Sequence, residues 1–133
     1  MQLKRVVVTG IGTITPIGNN LEDYWQGLIN GVPGAAPITL FDASKFKTRF
    51  ACEVKGFDPT SFMEKKEARK LDRFAQLALY ASDMAVVDAQ INKENVDADR
   101  VGVIFASGIG GLRTFQEEVQ NFCLKLLEDK WFI

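Results

Sequence analysis

The sequence predicts an α/β layered domain. Three observations carry that prediction: two runs of consecutive apolar residues near opposite ends of the chain, a glycine-rich turn directly after each run, and a long helical pattern between them. The runs are Val6-Val7-Val8 and Val101-Gly102-Val103-Ile104-Phe105-Ala106. Continuous apolar runs of this kind mark strands buried on both faces of a parallel sheet. Helices placed between such strands imply a sheet covered by helical layers.

Each element follows in order. Leu3 to Thr9 reads as the first strand, ended by Gly10 and Gly12. Pro16, Gly18, Asn19 and Asn20 form a turn, with Asn19 or Asn20 as the N-cap of a helix from about Leu21 to Asn30. That helix is expected to bury Leu21, Tyr24, Trp25 and Leu28, and Gly31 stops it as a C′ glycine. Gly31 to Asp42 is loop-like. Phe46 to Val54 alternates, with Phe46, Thr48, Phe50, Cys52 and Val54 on one face and Lys47, Arg49 and Glu53 on the other. Period two predicts a half-exposed strand. Asp58-Pro59-Thr60-Ser61 caps a short helical turn.

Lys65 to Ala89 predicts the long helix. Leu71, Phe74, Ala75, Ala78, Ser82 and Ala85 share one face, and Leu77, Tyr80, Ala81, Met84 and Val87 carry apolar character onto the others. Such a helix is expected to lie centrally, covered on both sides. Gln90 to Arg100 is a polar loop before the second strand. Ser107-Gly108-Ile109-Gly110-Gly111 ends that strand, and a further helix begins near Leu112 with Phe115, Val119 and Phe122.

Composition narrows the function. A chain of 133 residues fits one modest domain. Sixteen Lys and Arg against 17 Asp and Glu give a net charge of −1, which removes the electrostatic case for nucleic acid or a membrane surface. The sequence has no histidine, which excludes a Ser-His-Asp triad, a Cys-His pair and imidazole metal ligands within it. No metal and no cofactor is expected. Two cysteines make no disulfide scaffold. The opening residues lack the apolar run of about 7–15 residues that a signal peptide needs. Nor does the chain hold the roughly 18 apolar residues of a membrane helix, so a cytoplasmic protein is expected.

Four features could carry chemistry. Gly10-Ile11-Gly12 is similar to the start of a dinucleotide fingerprint, but Thr15 stands at the third glycine position and the helix starts too late. A tight turn is the preferred reading. The turn Ser107–Gly111 lies at the carboxyl end of a strand, where α/β sheets bind ligands; it reads equally as a plain turn or a ligand-lining loop. Lys66, Arg69, Lys70 and Arg73 follow i, i+3, i+4 and i+7 and form a basic stripe, offset in part by Glu64, Glu67 and Asp72. The stripe is either a solvated face or a docking patch for an acidic partner or phosphate. Cys52 and Cys123 have no local base and read as inert thiols.

Several separated motifs then agree. Lys4-Arg5-Val6-Val7-Val8-Thr9-Gly10-Ile11-Gly12, Thr15-Pro16-Ile17-Gly18-Asn19, Phe41-Asp42-Ala43-Ser44, Arg69-Lys70-Leu71-Asp72-Arg73-Phe74 and Ser107-Gly108-Ile109-Gly110-Gly111-Leu112 occur in this order. From about Lys4 to Phe122 the chain resembles the N-terminal third of the β-ketoacyl-[acyl-carrier-protein] synthase II family, the thiolase-like ketosynthases. The resemblance implies a partial thiolase-like layered fold, the N-terminal segment of the first of two related α/β halves. It implies an acyltransferase family of fatty-acid biosynthesis that works as a homodimer and performs decarboxylative Claisen condensation of an acyl thioester with malonyl-carrier.

Transferred position by position, the resemblance implies that Ile109 borders the acyl-chain pocket. It implies that Lys66, Arg69 and Lys70 dock the acidic acyl carrier protein. The family's catalytic cysteine, histidines and lysine lie downstream of the matched region, so no catalytic residue is assigned in this chain. Residues 1–122 are read as the ketosynthase segment and 123–133 as a divergent tail. Val119, Phe122, Cys123, Leu126 and Leu127 keep a helical period, so that tail is expected to extend the last helix. A frameshift, a shortened reading frame or an engineered junction would each give such an ending. The isolated chain is expected to be inactive in condensation, with a non-catalytic acyl-carrier-protein binding module as the alternative. Uncovered apolar faces, notably around Leu77, Tyr80 and Met84, predict self-association or marginal stability.

Overall fold

The computed structural model describes residues 4–128 of the chain. The readings for Leu3 and for residues 129–133 of the tail lie outside the described residues. Four helices and one small sheet follow in order: α1 Leu21–Ile29, β1 Ala36–Pro37, β2 Phe50–Ala51, α2 Lys65–Ala68, α3 Arg73–Asp88 and α4 Leu112–Glu128. Short 3₁₀ turns occupy Pro59–Ser61 and Ala98–Arg100.

Helix α1 forms for the reasons its sequence supplies. The Asn20 side chain accepts from the Asp23 amide at 2.8 Å, and its Nδ2 donates to the Asp23 carboxylate at 2.7 Å. Gly31 follows the C-cap with φ +62°, the left-handed geometry that a C′ glycine provides. The expected apolar face is not buried, however. Leu21, Trp25 and Leu28 are exposed, Tyr24 is half-buried, and Gly27 is the buried position. The turn before the helix, closed by Thr15 and Gly18, packs Ile17 against Gly27 and so covers a different side.

The loop-like stretch and the alternating strand meet as one antiparallel pair, Ala36 opposite Ala51 and Pro37 opposite Phe50. The predicted division into faces holds only in part: Lys47 and Arg49 are exposed and Val54 half-buried as expected, but Phe46, Phe50 and Cys52 are exposed, whereas Ala51 and Glu53 are half-buried. Glu53 fixes this orientation, because its carboxylate accepts from the Thr39 amide, the Thr39 hydroxyl at 2.6 Å and the Leu40 amide. Neighbouring residues of extended chain point to opposite sides, so holding Glu53 inward turns Cys52 outward. Farther on, Asp58 caps the 3₁₀ turn as expected, accepting from the Thr60 amide at 2.8 Å.

The long helix predicted over 65–89 is two helices. Helix α2 ends at Ala68, and α3 begins at Arg73 after Asp72 takes extended N-cap geometry (φ −62°, ψ 153°). Gln76 Nε2 donates to the carbonyls of Ala68 and Leu71 at 2.8 and 3.1 Å, satisfying acceptors that the break frees. Nor is α3 covered on both sides, since none of its residues is fully buried. One flank rests on aromatic rings, with Tyr80 5.3 Å from Phe57 and 5.2 Å from Phe62 between centroids.

The two predicted parallel strands lie outside any sheet among the described residues. Val6 is 92% exposed and Ile104 is 96% exposed. A parallel strand needs hydrogen-bonded neighbours and a layer on each face; the two runs do not pair with each other, and no second layer covers them here. The α/β layering therefore does not form among the described residues. The uncovered apolar surface centres on Val6–Val8, Val101–Phe105 and α4, while Leu77, Tyr80 and Met84 are half-buried. Helix α4 runs unbroken through the first residues of the tail to Glu128.

What the N-terminal run does achieve is docking at its end. Gly10 and Gly12 lie against α3, where a Cβ on Gly12 would overlap the Ala81 carbonyl and one on Gly10 the backbone of Ala85 and Ala89. Neither glycine has a positive φ, so close approach rather than turn geometry requires them. Ala81, Ala85 and Ala89 recur every four residues and supply the matching shallow stripe.

Candidate functional site

The cationic segment is held by the helix break. Lys66 lies in α2, Arg69 is its C-cap and Lys70 follows, and all three side chains are exposed. None of them forms an ion pair among the described residues, where the ion pair present is Arg113 with Glu117 at 2.8 Å. Lys70 borders an open groove of about 500 Å³ that it shares with Phe62, Met63, Glu67 and Asp83.

Arg73 leaves the predicted stripe. With the helix interrupted at Arg69–Asp72, the i, i+7 relation to Lys66 no longer holds. The Arg73 guanidinium instead stands 4.5 Å from the Phe57 ring centroid and donates to the Phe57 carbonyl at 3.4 Å through both terminal nitrogens. Partial burial against that ring pushes its pKa below the usual arginine value. A stripe of four becomes a cluster of three.

The glycine turn comes to the same junction. Gly111 has φ +71°, and a Cβ there would lie 2.9 Å from the Asp72 carboxylate. A Cβ on Gly110 would lie 2.6 Å from the Phe74 ring. The Thr114 hydroxyl, in the first turn of α4, donates to Asp72 Oδ1. Asp72 is the N-cap of α3, yet its carboxylate makes no capping bond to its own helix. Such a bond typically contributes about 0.5–2 kcal/mol; here the carboxylate is committed to the turn instead.

Ile109 sits at the exposed tip of this turn, 76% exposed, and it lines neither of the two described grooves. The second groove, about 430 Å³, runs between α3 and the uncovered run and is walled by Phe74, Ala78, Ser82, Val103 and Phe105. The structure thus brings the cationic segment and the glycine turn to one place, joined through Asp72, without enclosing Ile109.

Cys52 and Cys123 are free and exposed. Cys52 is not the buried side chain its strand face predicts, for the reason given by Glu53. No helix among the described residues is long and apolar enough to cross a membrane. Sequence reading missed Asp72 as a tertiary ligand of the turn; its one sequence signal is an acidic N-cap residue without a Ser/Thr-x-x-Glu box.

Comparison with known proteins gives a consistent picture. The family model described as "Beta-ketoacyl synthase, N-terminal domain" matches residues 3–125. The chain is 51% identical over 118 residues to the 3-oxoacyl-[acyl-carrier-protein] synthase 2 of Synechocystis sp., covering 89% of this chain and 28% of that protein. It is 44% identical over 115 residues to the protein of the same description from Staphylococcus aureus, covering 86% and 28%. It therefore spans little more than a quarter of the length of these relatives. Among solved structures, a beta-ketoacyl synthase from Burkholderia phymatum superposes with a TM-score of 0.67 at 26% identity, covering 89% of this chain and 30% of that one. The ishigamide ketosynthase/chain length factor superposes with a TM-score of 0.61 at 39% identity, covering 68% and 22%.

Proposed function

The chain belongs to the beta-ketoacyl synthase family through its N-terminal domain, and from that membership we propose that it is the carrier-receiving portion of a fatty-acid-elongating ketosynthase. In this reading Lys66, Arg69 and Lys70 dock acyl carrier protein, and Ile109 contributes to the wall of the acyl pocket. The observation that carries it is the exposed cluster of three cations with no ion pair among the described residues. Unpaired, exposed charge steers an oppositely charged partner and sets its register.

Condensation is assigned to residues outside this sequence. The reaction needs an acyl-accepting nucleophile and groups that stabilise the carbanion formed on decarboxylation. This sequence has no histidine, and its two exposed cysteines have no described hydrogen-bonded base. The purified chain, mixed with carrier protein bearing acyl or malonyl groups, is expected to bind carrier and form no β-ketoacyl product. Product formation would overturn the assignment. Lys66→Glu with Arg69→Glu is expected to abolish carrier binding, with the wild-type affinity itself fading as salt shortens the screening length; unchanged binding by that variant removes the docking role. The cytoplasmic setting expected from the sequence belongs to this proposal.

Self-association is the second part of the reading. The accessible surface is 11875 Å² for a chain of 14.8 kDa, whereas a compact domain of that mass exposes about 7,000 Å². A standard interface covers about 800 Å² on each partner, and large obligate ones about 1,000–2,500 Å². One self-contact therefore covers at most about half of the excess. Sedimentation across a concentration series is expected to give species larger than the monomer; a single monomeric species at every concentration counts against it.

A further inference from the structure

We propose that Asp72 is a positioning residue that holds the glycine turn 107–111, and with it Ile109, against the start of α3, beside the cationic segment. The proposal deepens the reading of Ile109 and Lys66–Lys70 given above and rests on it for its functional meaning. Its structural content stands on three contacts that converge on one junction. The Asp72 carboxylate accepts from the Thr114 hydroxyl, directly beyond the turn. The same carboxylate occupies the space a side chain at Gly111 would need, at 2.9 Å from that Cβ position. Two residues later, the Phe74 ring occupies the space of a side chain at Gly110, at 2.6 Å.

The geometry makes Asp72 a joint between two otherwise separate features. Its main chain starts α3, and the Gln76 amide bonds its carbonyl at 3.0 Å. Its side chain faces away from that helix to the turn. Lys70 precedes it by two residues in the same non-helical linker, so a partner that fixes Lys70 also fixes the backbone that aims the carboxylate. Within the turn itself the described side-chain bond is Ser107 Oγ to the Ile109 carbonyl at 3.2 Å. The described hydrogen-bond tie to the start of α3 therefore comes from α4, just after the turn, as Thr114 to Asp72. A protein that loads a carrier-bound chain beside Ile109 gains from this link: docking and the pocket wall become ordered together.

Amide hydrogen exchange read by mass spectrometry over peptides spanning 111–120 and 64–72 tests this. In the free chain, Asp72→Ala and Thr114→Val should each raise exchange over 111–120, where the Phe115 amide bonds the Gly111 carbonyl, by about tenfold or more, the effect of losing roughly 1.4 kcal/mol of local protection. Asp72→Asn keeps an acceptor oxygen for the hydroxyl and should restore the wild-type rate. Thr114→Val leaves the start of α3 untouched, so a response to it cannot come from loss of that helix. Unchanged exchange in both variants, or failure of Asp72→Asn to rescue, overturns the positioning role. Addition of acyl carrier protein should then protect both peptides in the wild type but only 64–72 in Thr114→Val. Carrier that protects neither peptide overturns the docking reading and leaves the free-chain comparison to decide the role of Asp72.

Discussion

The Ile11 amide donates to the Asp88 carboxylate at 2.8 Å, joining residues 77 positions apart. It fixes the end of the N-terminal run to the last turn of α3. Gly10 and Gly12 flank the bonded amide and lie flat on the Ala81, Ala85 and Ala89 stripe.

That contact predicts an asymmetry among glycines. Gly12→Ala should destabilise the chain by about 1–3 kcal/mol, the usual cost of forcing atoms into a filled space. Gly102→Ala meets nothing within 4 Å and should change stability by less than about 0.5 kcal/mol. Urea unfolding of the two variants measures the difference; equal effects would mean that Gly12 is not in contact with α3.

Arg73 should behave as a structural residue. Arg73→Gln removes the guanidinium from the Phe57 ring and carbonyl, at a cost of about 0.5–1 kcal/mol for a partly exposed cation–π pair. Lys66→Gln, at an exposed and unpaired position, should cost less than about 0.5 kcal/mol. Carrier affinity should follow the opposite order, with Lys66→Gln the weaker binder. Affinity lost in Arg73→Gln instead would restore Arg73 to the docking surface.

The hairpin should open on the acid side. Bonds from the Thr39 hydroxyl and amide hold the Glu53 carboxyl below its ordinary value of 4.5. A carboxyl lowered on folding stabilises the folded form above its unfolded pKa, and this contribution disappears as pH falls through the lowered value. Stability should therefore decline below about pH 4.5. In Glu53→Gln that decline should flatten, leaving the slopes from Asp58 and Asp42, which bonds from Thr60 and Ser44 also lower. Thermal melts of both proteins between pH 3 and 6 follow it; parallel curves would reject the role of Glu53.

Unfolding should also be shallow. The fully unfolded chain exposes about 21,000 Å², so the chain as folded hides roughly two thirds of the area that a compact domain of its size would hide. For the monomer, at concentrations too low for self-association, the denaturant slope and the heat-capacity increment scale with this area and should both fall to about two thirds of the values usual for 133 residues. Values at the usual level would indicate that the uncovered runs are buried in solution.

Local chemistry was legible in the sequence. Asn20 and Gly31 bound α1, Asp58 caps its turn, and α4 begins at Leu112, because each depends on side chains within four residues. The family was legible too, since its motifs are contiguous strings. Burial was not. Val6–Val8 and Val101–Phe105 carry strand sequence, but pairing depends on neighbours that these runs do not find in each other. The break at Arg69–Asp72 was also hidden, because helical period continues across it from Lys66 to Arg73. It becomes visible only when Gln76 is seen to cap Ala68 and Leu71, and when Asp72 reaches Thr114.

The placement of Thr114 gives α4 a mechanical character. The helix has 17 residues, a rod about 25 Å long at 1.5 Å per residue, and its described side-chain bond to another element lies in its first turn. It is a lever with its fulcrum at Asp72. A rotation of about 10° at that joint carries the far end roughly 4 Å, while Gly111 beside the fulcrum hardly moves. A grip on α4 by another surface would thus work on the joint at Asp72 with mechanical advantage.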